Sequence, residues 1–332
     1  GIRDQPRSRG LGDVYKRQEL RRMGLCIVER RVPVVRTISP NVKFRETCYT
    51  EGGRRLIRHD FETPKGTLTA IYEDRGYTRW CLRHLFSGPE DYDKLVFLYD
   101  DQRFEPAYDK FAKAQEEAGP DVLLRPGIGY EPLQQVIHLM GTERFCFEWM
   151  ERRDEVLRLY EAIVRARRRL YPLLAESPAL LFNYGGNVMP EVVGPKVFEE
   201  FYLPHYNEAA EILHKKGKLV GTHLDGNCRL IADLVARSEL DYVEAFTPAP
   251  DTDMALSEAV KVWRHKALWI NFPSSLHLAS EGRIYEATLD LLRQAEGHPR
   301  FIIGITETVP EDRWFGNFKT ILRAIDDYHR GR

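Results

Sequence analysis

Short apolar runs, continuous and not alternating with polar residues, recur along this chain with helical periodicity between them. They lie at 33–39, 121–126, 180–184, 218–223, 241–246, 267–272 and 301–306. A strand with one solvated face alternates apolar and polar residues, whereas continuous apolar character marks a strand covered on both faces. Between the runs, Val156, Leu159, Ile163, Ala166 and Leu170 step by three and four, the spacing of one buried helical stripe. Phe198, Phe201 and Leu213 suggest a second helix broken near Pro204, and Ile284, Thr288, Leu291 and Leu292 a third. In the last, Pro310, Glu311 and Asp312 suit a first turn, followed by the apolar face of Trp314, Phe318, Ile321, Leu322 and Ile325.

Repeated strand–helix units require parallel pairing with helices outside. The expected fold is therefore α/β, a closed (β/α)8 TIM barrel, for which 332 residues suffice. A doubly wound open sheet is the alternative, but no glycine-rich turn follows the first run. An eighth strand at 144–149 (RFCFEW) is equally readable as helix. Residues 44–115 are charge-rich and poorly periodic, so they are expected to be a hairpin-bearing insertion or lid on a single barrel domain spanning 19–332. Residues 1–18 are set apart. DVYKRQ at 13–18 is what a transposon end used in sequencing libraries encodes, so this stretch is expected to be a non-native, disordered artefact.

A formal net charge of -1 gives no electrostatic case for a nucleic-acid or anionic-membrane partner. Five scattered cysteines without a C-x-x-C pair suit a reducing cytoplasm, and no apolar stretch reaches the ~20 residues of a membrane span.

In a barrel the chemistry sits at the C-terminal ends of the strands. Reading those positions gives Arg36, Arg125, Asn183, His223 with Asp225, Glu244, Asn271 and Glu307. Polar groups that converge on one mouth make a ligand surface. His223, Asp225 and Glu307 offer one imidazole nitrogen and two carboxylates, a set that fits Zn, Fe or Mn with a position left open. Cys228 is the rival third ligand, and Glu244 is a fourth ligand or a base. Local capping by His223 and a simple Asp225-Gly226-Asn227 turn explain the same residues without a metal. Arg36 can clamp a substrate carboxylate bidentately or pair with an acidic neighbour. Asn183 and Asn271 can orient polar groups, and Tyr184, ahead of Gly185-Gly186-Asn187, can line the pocket.

ETPKGT at 62–67, FEEFYLP at 198–204, GKLVGTHLDGN at 217–227, EAFTP at 244–248 and IGITETVPEDR at 303–313 together resemble the uroporphyrinogen decarboxylase superfamily. The resemblance implies a TIM barrel and extends over roughly residues 20–330. In the superfamily's cobalamin-dependent methyltransferase branch, a zinc is held by a His-x-Cys pair and a later cysteine. His223 matches the histidine, Asp225 stands at the first cysteine, and Glu307 lies near the second, so oxygen replaces both sulfur ligands. The decarboxylase branch needs no metal and uses an arginine-rich first loop, on which only Arg36 falls.

The resemblance implies a metal-dependent methyltransferase or demethylase of a small methylated substrate. Glu244 and Arg36 would be catalytic, a corrinoid carrier protein would be the partner, and a homodimer is expected. A metal-independent decarboxylase of a porphyrinogen or related carboxylated substrate is the alternative. A non-catalytic small-molecule binding protein is the third.

Overall fold

The computed structural model describes residues 11–76, 78–120, 122–306 and 309–331. The chain forms two compact units. One comprises residues 1–33, 109–129 and 179–332, the other residues 34–108 and 130–178.

The first unit is built on parallel strands. Gly127–Gly129, Leu181–Tyr184, Leu219–His223, Tyr242–Phe246, Ala267–Asn271 and Phe301–Gly304 lie side by side in chain order. Ile27–Glu29 pairs in parallel with Val122–Leu124. Pro126, which has no N–H to donate, separates the short strands 122–124 and 127–129. Backbone bonds continue across the break, from Arg125 N to Glu29 O at 2.9 Å and from Asn183 N to Pro126 O at 3.1 Å. Among the described residues no hydrogen-bonded pair joins Phe301–Gly304 to Ile27–Glu29.

Helices separate the later strands, and the last, Trp314–Arg330, closes the chain. Every residue of Tyr242–Phe246 is buried, as expected of a strand covered on both faces. Phe182, Val220, Val243, Phe246, Ile270 and Phe272 are fully buried in this core.

Six of the seven apolar runs are parallel strands of this unit. The run at 33–39 is not. Its central part, Val35–Ile38, pairs antiparallel with Arg103–Pro106 in the second unit. Ile27–Glu29 takes its place as the first parallel strand. The run at 144–149 lies within the helix Thr142–Glu151, where Phe145 and Trp149, four apart, bring their rings to 5.4 Å. The helix break expected near Pro204 falls at Tyr202, between Pro190–Phe201 and Leu203–His214.

The expectation of disorder over 1–18 fails from residue 11 onward, because Leu11–Arg22 is a helix. Its C-terminal half is anchored by fully buried Leu20 and by Lys319, which donates to Glu19 at 2.7 Å. Residues 1–10 lie outside the described residues.

The second unit contains the segment expected as an insertion. Lys43–Glu51, Arg54–Thr63, Gly66–Asp74 and Arg79–Arg83 form an antiparallel sheet in that order. Its first turn is Gly52-Gly53, with φ of 55° and 75°, the positive values a tight hairpin turn demands. The same unit extends beyond the expected boundaries to the helices Pro132–Met140, Thr142–Glu151 and Arg153–Glu176. Val156, Leu159, Ile163, Ala166 and Leu170 are all buried along the last of these.

Candidate functional site

The site lies within the first unit, where polar residues end its parallel strands. His223 closes the Leu219–His223 strand and stands in register beside Glu244 on the next. After Glu244 the pairing register shifts, and Ala245 takes φ 64°. That is a β-bulge with an L residue in the left-handed region, which re-aims the side chains around it. Leu224 N donates to the Glu244 carbonyl at 2.9 Å and draws the loop after His223 toward the neighbouring strand. Gly186, at φ 150°, brings the turn after Tyr184 against His223, where an added Cβ would stand 3.6 Å from that histidine's Cβ.

His223 lies between two carboxylates. Its Nδ1–H donates to Glu244 Oε2 at 2.6 Å, and Nε2 lies 3.2 Å from Asp225 Oδ2. The other Glu244 oxygen, Oε1, accepts from Arg125 Nη2 at 3.3 Å and from Arg30. Arg30, Arg125, Glu244, His223 and Asp225 thus form a continuous charged chain. Arg125 retains only 3% of its exposure and Glu244 none, so neither charge would be tolerated without the others.

Burial alone would favour neutral Glu244. The hydrogen bond from His223 and the charges of Arg125 and Arg30 outweigh it and hold the carboxyl down at about 2. Burial also works against charge on His223, but the bonds to Asp225 and Glu244 push its pKa up to about 9. For Asp225 burial again opposes charge, and its bond with His223 carries the net shift below the ordinary value. Glu244 thus stays ionised near neutral pH, with one oxygen accepting from His223 and the other from Arg125 and Arg30.

With its pKa at about 9, His223 carries a proton on both nitrogens at neutral pH, and a cation binding at Nε2 would displace the one shared with Asp225. Glu244 accepts the Nδ1–H, which leaves Nε2 facing Asp225. A carboxylate behind the far nitrogen of a metal-ligating histidine is a recurrent supporting arrangement. His223 Nε2 and Asp225 Oδ2 therefore suit two positions on a divalent cation. Among the described residues no group of three or more His, Cys, Asp or Glu side chains has metal-holding geometry. Glu307, the expected third donor, lies outside the described residues.

Cys228, the rival third ligand, does not join His223 and Asp225 in a three-donor group among the described residues. Its Sγ donates to Gly226 O at 3.1 Å, and burial, followed by nearby Asp253, Asp225 and Glu191, raises the thiol pKa far above the ordinary range.

Arg36, an expected member of the site, belongs to the second unit. It sits on the exposed Val35–Ile38 strand of the second unit and pairs with Glu105, the ordinary ion pair its sequence also allowed. The arginine that sequence reading missed is Arg30. Its signal is the Ile27-Val28-Glu29 run just before it, too short to stand out.

Arg125 is at the site, but it braces Glu244 and stands over the Trp269 ring at 5.6 Å. Asn183 Nδ2 turns to Gly185 O at 3.0 Å, while its Oδ1 is buried with no partner among the described residues. Tyr184 is fully buried with its ring edge-on to Tyr206 at 5.8 Å, so it is core and not pocket wall. Asn271 ties two strand ends, with Oδ1 accepting from Thr306 N at 3.0 Å and Nδ2 donating to Thr247 Oγ1 at 3.3 Å.

Residues 81–328 match the family model of uroporphyrinogen decarboxylase (URO-D). The chain belongs to the uroporphyrinogen decarboxylase family. The URO-D fold is a TIM barrel, and the consecutive parallel strand order of the first unit follows it. Members of the URO-D superfamily are enzymes. Arg30 and its strand precede the matched stretch.

Among solved structures, a methyltransferase from Methanosarcina mazei superposes with a TM-score of 0.54 at 14% identity, covering 76% of this chain and 73% of that one. At that identity the likeness concerns fold. Dispersin B superposes with a TM-score of only 0.31 at 12% identity, covering 71% of this chain and 76% of that one. No curated protein sequence matches the chain. No described helix is long and apolar enough to cross a membrane.

Proposed function

We propose that this URO-D family member is a methyltransferase or demethylase of a small methylated substrate, with a corrinoid protein as methyl carrier and a divalent metal, Zn, Fe or Mn, at His223 and Asp225. The observation that carries this reading is the fixed His223 ring, whose Nδ1 is held by buried Glu244 at 2.6 Å while Nε2 is directed at Asp225. Glu307 is the third ligand in this reading.

A bound metal would supply Lewis acidity to the heteroatom that loses or gains the methyl group. The chain's own residues prepare the position. Arg30 and Arg125 keep Glu244 ionised, Glu244 keeps the proton on Nδ1, and Asp225 provides negative charge beside Nε2. Unpaired Asn183 Oδ1, at the end of a neighbouring strand, is left to orient a donor group on the substrate.

Metal-independent decarboxylation is the second reading, favoured by the same histidine. With a pKa raised to about 9, His223 is a charged proton donor at neutral pH. Two assays separate the readings. Methyl transfer from methylated substrates to cob(I)alamin, followed by the cobalamin spectrum, is expected in wild type and lost in His223→Ala. Carbon dioxide release from a porphyrinogen, with no methyl transfer and no dependence on added metal, would replace the first reading with the second.

A further inference from the structure

The second unit contains a cavity of 450 Å³ that the proposed chemistry does not use. One wall is a face of the antiparallel sheet. Phe44 stands opposite Phe61, His59 is two residues from Phe61 on the same strand, and Tyr72 stands opposite Cys81 on the next pair. Strand periodicity puts these side chains on one face. The rings pack in series, with centroids 5.0 Å apart for Phe44–Phe61, 5.2 Å for Phe44–His59 and 5.2 Å for His59–Tyr72. The opposite wall comes from the helices Tyr92–Asp101 and Pro132–Met140, through Leu98, Tyr99, Gln135, His138 and Leu139.

Two properties of the lining select a ligand. Among the described residues no Asp, Glu, Lys or Arg contributes to it, and His59 is already paired with Glu46 at 2.9 Å, so the lining offers no unpaired charge to a ligand's formal charge. His138 does not supply one, because burial, and then nearby His84, holds it below its ordinary value. The second property is ring content. Phe44 leaves 53% of its surface in solvent although it belongs to an aromatic series, a cost that a stacked partner would recover. The volume falls in the range of small-molecule sites, roughly 300–1,000 Å³. Gln102, Gln135, Thr37 and Ser39 on the lining provide hydrogen bonds for a polar edge.

We infer that this cavity is a binding site for a small, neutral, planar aromatic molecule with a hydrogen-bonding edge, seated between the Phe44–Phe61–Tyr72 face and the helices opposite. The site is built within one unit and does not depend on the His223 chemistry.

Calorimetric titration of the full chain at pH 7 tests it with 2-naphthol as the probe. One saturable site is expected. Decahydro-2-naphthol, which lacks the π system, and 2-naphthoate, which carries a charge, should each bind at least tenfold more weakly. Phe61→Leu and Tyr72→Leu should weaken 2-naphthol at least fivefold, while His223→Ala leaves it unchanged.

Exposed Cys81 lines the same cavity, so bound 2-naphthol should slow its alkylation at least threefold and leave exposed Cys26 unaffected. This arm, with the wild-type selectivity, decides the matter even if a variant fails to fold. The inference is overturned by absent saturation, by equal affinity for the saturated or charged analogue, or by binding lost in His223→Ala and kept in Phe61→Leu. It is also overturned if a second copy covers the face, seen as self-association that Phe44→Ser abolishes while Cys81 stays unprotected by the probe.

Discussion

Glu244 holds the site together, because each of its oxygens is committed to a cation. His223 takes one, while Arg30 and Arg125 share the other. Its replacement by Gln would leave the arginines without their buried counter-charge. Breaking one side of a buried ionic pair costs about 3 kcal/mol or more. Glu244→Gln should therefore lower the unfolding free energy from urea titration by about that amount, and a loss of less than about 0.5 kcal/mol would refute the shared ionic role.

A second buried residue sets a pH dependence. His277 retains 1% of its exposure, its Nε2 has no partner among the described residues, and burial holds its pKa down at about 4. An unfolded histidine titrates near its model value of 6.5, so between these values the unfolded chain binds a proton that the folded chain refuses. Stability must then fall as pH drops from 6.5 to 4, by up to about 3 kcal/mol. The difference between wild-type and His277→Gln denaturation curves isolates this contribution from the carboxylates. A difference that stays constant across that range would contradict the assignment.

Two glycines allow close packing in the parallel sheet. A Cβ on Gly221 would fall 2.3 Å from the Tyr242 ring in the adjacent strand, and one on Gly304 would fall 2.3 Å from Trp269 Nε1. Neither contact can be relieved without moving a buried aromatic ring, and overpacking of this kind costs about 1–3 kcal/mol. Gly221→Ala and Gly304→Ala should each lower the thermal midpoint, whereas Gly217→Ala should be affected by its φ of 65° alone, since nothing lies within 4 Å of it. Equal midpoints for wild type and Gly221→Ala would show that the strands are not packed so closely.

At this scale the legible elements were those whose apolar runs reflect burial on both faces, such as Tyr242–Phe246 and Ala267–Asn271. Ile27–Glu29 escaped because two apolar residues followed by Glu29-Arg30-Arg31 carry little periodic signal. The run around Arg36 reads correctly as a strand, but its residues cannot reveal that the partner, Arg103–Pro106, is antiparallel. For the site, i and i+2 spacing brought His223 and Asp225 together correctly. The state of Glu244 was not legible, because it depends on Arg30 and Arg125, which are 214 and 119 residues away in the chain.

Over the whole molecule, the family match starts at residue 81 and reaches into the last helix. It therefore covers most of the parallel strands but not the Arg30 end of the ionic chain. The initial residues contribute less. Lys16 Nζ stands 5.6 Å from the Phe315 ring centre and 6.0 Å from that of Trp314, distances at which an exposed cation–π contact contributes about 0.5–1 kcal/mol. Deletion of residues 1–18 should thus cost about 1 kcal/mol or less in a denaturation titration, and a loss above about 3 kcal/mol would show that this stretch is integral to the fold.

We propose that Glu244 holds the His223 ring so that Nε2 and Asp225 bind a divalent cation. Elemental analysis of protein purified without chelator, and again after reconstitution with Zn(II), Fe(II) or Mn(II) and gel filtration, tests it most directly. One equivalent of metal per chain is predicted for wild type, with none retained by His223→Ala or Asp225→Ala variants that still fold. Wild-type protein that carries no metal after every reconstitution, or variants that retain a full equivalent, would contradict the claim.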